Sequence, residues 1–138
     1  MGCSATILDR IIERKRADVA DRKADYPVEV LEALVAERDP PRGFSNSLVS
    51  QMESKKSAVI AEIKRASPSK GLLRSDFQPG LHASQYEMAG ATCLSVLTDQ
   101  DFFQGSDADL KATNLYLLIV CPLFLVLLCL FLIDFNNF

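Results

Sequence analysis

Glu62 and Lys64 are the two residues whose types and spacing most directly suggest chemistry. They interrupt the run Ala58 to Lys64, which is otherwise almost wholly apolar and is read as a β-strand over Val59 to Lys64. Two positions apart on a strand, their side chains project to the same face, with Cα atoms roughly 6 to 7 Å apart. Opposite charges on an apolar strand are costly unless they are paired or used. An acid beside a base can hold its partner charged, or pass protons to a substrate lying between them. The same spacing also suits a plain salt bridge that fixes the strand end.

The surrounding elements must position this pair. A helix is expected from Thr6, with Ile7, Leu8, Ile11, Ile12 and Val19 on one side, Thr6 and Asp9 as a capping pair, and a stop before Pro27. A second helix fits Val28 to Glu37 and ends at Asp39, Pro40 and Pro41, so two helices are expected before the strand. After the strand, Ser67 to Gly71 reads as a loop. A helix then starts between Asp76 and Pro79 and stops at Gly90. Cys93 to Leu97 is the next strand, Thr98 to Gly105 a polar and aromatic loop, and Ser106 or Asp107 the cap of a further helix. Two helices followed by βαβα with short connections predict a parallel α/β architecture.

Composition narrows the function classes. The chain has 138 residues, a formal charge of −3 and no basic surface of the kind that nucleic acid requires. Cys3, Cys93, Cys121 and Cys129 have no CxxC spacing and only His82 as an imidazole partner, so buried thiols are expected rather than zinc ligands or disulfides. The opening has no signal-peptide pattern. It does fit the acylation pattern MGxxx[ST] at Gly2 and Thr6, with Cys3 placed for a second acyl chain, although Thr6 has a simpler use as a helix cap.

The run Ala61 to Gly71, AEIKRASPSKG, resembles the first-strand signature of indole-3-glycerol-phosphate synthases. The resemblance continues in order through ILDRIIERKRADVADRK, PPRGF, DFQP and CLSVLTDQDFFQGS, over about residues 6 to 113. It implies an N-terminal helical extension (residues 1–57) and the first two βα units (58–113) of an incomplete (β/α)8 barrel. It also implies a cytoplasmic carboxy-lyase that uses no cofactor or metal. Such an enzyme converts 1-(2-carboxyphenylamino)-1-deoxyribulose 5-phosphate, a small phosphorylated substrate, into indole-3-glycerol phosphate with loss of CO2 and water.

Position by position, the resemblance makes Lys64 a substrate contact and candidate proton donor in the dehydration, with Glu62 assisting that transfer. Ser67 and Pro68 match the loop beside the substrate's carboxylate, and Phe103 matches an aromatic wall of the anthranilate pocket. The ring-closing acid of the family is a lysine at the end of the third strand, in a sequence like RKDF, which has no counterpart here.

Residues 114–138 have a different composition. Of the chain's 15 basic and 18 acidic residues, only Asp134 lies beyond Lys111. Leu115 to Ile133 is a charge-free run of 19 residues. As a helix it would be about 28 Å long, enough to cross a bilayer. A C-terminal apolar helix is therefore expected, either as a membrane attachment of a catalytically dead remnant or as T-rich DNA read out of frame. If the lyase ancestry dominates instead, a complementing barrel fragment is the expected partner.

Overall fold

The structure is a computed structural model that describes residues 5–113 and 119–122. It divides into two compact units, Met1–Pro41 and Arg42–Phe138.

The first unit holds helices α1 (Ile7–Asp25) and α2 (Val28–Ala36). Helix α1 begins where the sequence predicts. The Thr6 hydroxyl accepts a bond from the Asp9 amide at 3.2 Å, while the Asp9 carboxylate accepts from the Thr6 amide at 2.7 Å. Both leading amides are thereby satisfied. Donation to the Asp9 carboxylate by the Thr6 hydroxyl, also at 2.7 Å, and then by the Thr6 amide holds that carboxyl below the usual carboxylate range. Ile11 is the buried residue of this unit, whereas Val28, Val30, Leu31, Leu34 and Val35 of α2 are all exposed. Gly2 and Cys3 of the acylation pattern lie outside the described residues.

The second unit opens with a helix that the sequence pattern did not predict, α3 (Phe44–Glu53), so three helices rather than two precede the first strand. Its four serine and asparagine residues favour loops over helix interiors. The signal that was available is the spacing of Phe44, Leu48, Val49 and Met52 along one side. Gly43, at φ +79°, starts it in the left-handed region.

Strand β1 (Ile60–Ile63) follows, then a small antiparallel hairpin of β2 (Ala66–Ser67) and β3 (Gly71–Leu72) where a plain loop was expected. Helix α4 (Pro79–Met88) leads to β4 (Cys93–Val96), and helix α5 (Asp107–Thr113) leads to β5 (Ile119–Pro122). The three strands of this βαβαβ path form one parallel sheet in the order β1-β4-β5. Pro79 in the first turn of α4 and Gly90 at φ +86° after it are the start and stop that the sequence predicts.

Alternation along the strands sorts the two faces of the sheet. Ala61, Ile63, Leu94 and Val96 turn one way and pack with Ala83, Phe77, Tyr86, Ala91 and Leu110. Full burial of Leu94 alone contributes about 1.5 to 3 kcal/mol. Glu62 and Ser95 are register partners on the opposite face, as are Ile60 and Cys93. The Cys93 sulfur lies on that side, 3.9 Å from the Phe44 carbonyl oxygen of α3.

The expected apolar helix over Leu115 to Ile133 is corrected in its N-terminal half. Ile119 to Pro122 is a strand, paired in register with Cys93 to Val96. A continuous apolar run fits a buried parallel strand as well as it fits a membrane helix, and a waiting strand edge on β4 decides between them. The rest of that run, 114–118 and 123–138, lies outside the described residues. Among the described residues, no helix is long and apolar enough to cross a membrane. The partial barrel thus contains two βα units and a third strand, where two units alone were expected.

Candidate active site

Glu62 sits in β1, and Lys64 stands just past its carboxyl end. Because they are two residues apart in extended chain, the side chains emerge on one face, and Lys64 Nζ lies 2.5 Å from Glu62 Oε1. The side chains keep 31% and 40% of their surface exposed, so this is a half-wet pair rather than a sealed core salt bridge. An ion pair in such surroundings contributes only about 0 to 1 kcal/mol to stability. It leaves both charges able to meet a ligand. The Tyr86 hydroxyl reaches over from α4 to donate to the Glu62 carbonyl oxygen at 3.5 Å.

The hairpin after β1 carries the next two predicted residues. Ser67 is half-buried in β2, and its hydroxyl accepts from the Lys70 amide at 3.3 Å, while Pro68 is exposed at the tip. Gly71 returns the chain at φ +66°, a conformation that an L side chain resists.

Phe103 lies in the loop after β4 and is 8% exposed. Its carbonyl oxygen accepts from the Ala66 amide at 3.1 Å. One backbone bond therefore ties the loop after β1 to the loop after β4, at the carboxyl ends of both strands. Ser67 and Phe103 are thereby brought to the same end of the sheet as Lys64. In open α/β sheets and in barrels this is the end that carries ligands.

Three residues that shape this site were not singled out from the sequence. Asp99 Oδ1 accepts from the amides of Phe102 at 2.7 Å and Phe103 at 3.3 Å, which folds the loop that presents Phe103. Gly105 closes that loop by donating to the Asp99 carbonyl at 2.7 Å, where a Cβ would lie 1.9 Å from the Leu97 oxygen. Ser95 is the register partner of Glu62, and its hydroxyl is buried with no hydrogen-bond partner among the described residues. Its signal was available: a lone polar residue inside the apolar run CLSVL. Among the described residues, no cluster of three or more His, Cys, Asp or Glu side chains could hold a metal.

The arrangement offers a proton donor and a proton acceptor in contact at the mouth of a parallel sheet, beside a polar hairpin and an aromatic loop. A comparison with protein families gives a match to the indole-3-glycerol phosphate synthase model over residues 8–124. The match runs past Thr113, where the resemblance read from the sequence stops, and takes in β5.

Proposed function

The chain belongs to the indole-3-glycerol phosphate synthase family, and from that premise we propose that Glu62 and Lys64 are the proton-transfer pair for the dehydration that ends the family's reaction. By family the chain is a carboxy-lyase of tryptophan biosynthesis that acts on a small phosphorylated substrate. The observation that carries the proposal is the 2.5 Å contact between the two half-exposed side chains at the ligand-facing end of β1.

In that reaction the aromatic carbon bearing the carboxylate attacks the ketone carbon of the sugar chain, and the carbonyl oxygen takes a proton. The carboxylate leaves as CO2 and returns its bonding electrons to the ring. The new hydroxyl must then leave as water. Lys64 supplies the proton to that oxygen, and Glu62 takes the proton released as the indole double bond forms. Transfer from Glu62 back to Lys64 across their contact restores the starting pair. Ser67 and Pro68 receive the carboxylate side of the substrate and Phe103 lies against its aromatic ring, a placement supported by the Ala66 to Phe103 bond that joins their loops.

Ring closure needs a different acid, which the family resemblance puts at the end of the third strand. Here β5 and the residues after it contain no lysine, arginine or histidine. The 138-residue chain alone is therefore proposed to be inactive, with a complementing barrel fragment as the partner that would supply the acid, in the cytoplasm.

The test is turnover by two proteins: this chain, and a hybrid in which a relative's third to eighth βα units follow Thr113, the last residue of α5. The hybrid should form indole-3-glycerol phosphate and the chain alone should not. Turnover by the chain, purified free of host enzyme, would overturn the proposed incapacity. A folded hybrid without turnover would overturn the competence of the pair.

A further inference from the structure

We propose that His82 and Arg74 form an acid-sensitive latch that holds the segment from Arg65 to Phe77 against helix α4. The segment contains the β2/β3 hairpin, and both of its ends are tied. At one end the Arg65 carbonyl accepts from the Leu73 amide at 2.8 Å and from the Arg74 amide at 3.3 Å. At the other, His82 in the first turns of α4 is 8% exposed, and its Nε2 faces Arg74 Nη1 at 3.4 Å. The His82 ring also stands 5.8 Å from the Phe77 ring, at 56°. The Arg65 guanidinium carbon lies over the same Phe77 ring, 5.8 Å from its centroid.

Only a neutral imidazole fits this arrangement, because its unprotonated nitrogen must accept from a guanidinium that can only donate. A proton bound from solvent at Nε2 removes the acceptor and sets two positive charges against each other. The buried ring then favours leaving its site for water. Burial and Arg74 both push the His82 pKa below its ordinary value, and Asp76 opposes them more weakly. Both charged groups that act on the ring, Arg74 and Asp76, belong to the latched segment. Lowering the pH through the His82 midpoint thus converts a donor–acceptor contact into a repulsion at the point where the segment is fastened. Ser67 and Pro68 ride on that segment, so their order follows the latch.

His82 is the chain's single histidine, so its ring proton can be titrated by NMR without assignment ambiguity. Amide hydrogen exchange at Leu73 and Arg74, corrected for the intrinsic pH dependence, reports the opening. Below the ordinary histidine value of about 6.5, opening of these two amides should rise by up to about tenfold per pH unit, while amides of β4 stay protected. Arg74→Gln should move the His82 midpoint upward. His82→Phe, which keeps a ring beside Phe77, should abolish the pH dependence of exchange. The latch is refuted by protection at Leu73 and Arg74 that does not change down to about pH 5, or by the same pH dependence in His82→Phe. It is equally refuted by a midpoint unmoved in Arg74→Gln, a measurement that decides the matter even if His82→Phe does not fold.

Discussion

Replacing Lys64 by alanine separates a proton-transfer pair from a structural salt bridge. The contact between Lys64 and Glu62 is short, but the two side chains keep 31% and 40% of their surface. Solvent screens such a pair, so its loss should cost only about 0 to 1 kcal/mol of stability. Removing a positioned proton-transfer group should instead lower kcat by roughly 10² to 10⁴. A buried strut would reverse the balance, with about 3 to 5 kcal/mol lost because a charge is left unpaired. The assay is kcat and the denaturant midpoint measured on the same preparations of the hybrid protein and of its Lys64→Ala and Glu62→Gln variants. The reasoning fails if the midpoint falls steeply while kcat stays within a few-fold of the parent.

Three further outcomes follow from the geometry. Leu94→Ala empties a fully buried site between sheet and helices and should cost about 2 to 5 kcal/mol, read as a lower denaturant midpoint. Gly105→Ala places a Cβ 1.9 Å from the Leu97 oxygen, so the loop carrying Phe103 must shift; about 1 to 3 kcal/mol should be lost, together with the protection of the Ala66 amide that bonds Phe103. Thr6→Ala removes the hydroxyl donor that most depresses the Asp9 carboxyl and keeps the backbone amide donor, so the Asp9 pKa should rise part of the way toward 3.8 in an NMR titration. With Thr6 present, the contribution of Asp9 to helix α1 is complete above that ordinary value and is lost as pH falls through the lower folded value.

How much of this molecule was legible in its sequence depended on whether the deciding interaction was local. Helix α1 and helix α4 carry their own signals, Thr6 with Asp9 and Pro79 with Gly90, and both helices form where those residues place them. Helix α3 was hidden because its serines and asparagine mask a short apolar stripe. The hairpin of β2 and β3 has two-residue strands, too short for any periodicity. Strand β5 was read as helix because nothing within Leu115 to Ile133 distinguishes the two, and its identity comes from β4, more than twenty residues away.

The same division holds at the site. Glu62 and Lys64 share a face by strand spacing alone, so their contact could be foreseen. The bond from Ala66 to Phe103, the close approach at Gly105 and the register of Ser95 with Glu62 all depend on how β1 meets β4 and its loop, which spacing along one segment does not encode.

The division of labour proposed for the site is tested most directly by counting two products in one turnover. With the hybrid carrying Lys64→Ala, release of CO2 and formation of the indole chromophore are followed together after mixing with substrate. If Lys64 and Glu62 act in dehydration, CO2 should appear ahead of indole, in an excess equal to a ring-closed, decarboxylated intermediate that still carries its hydroxyl. Carbon dioxide and indole that slow equally and stay in step would contradict the assignment and move Lys64 to the earlier ring closure.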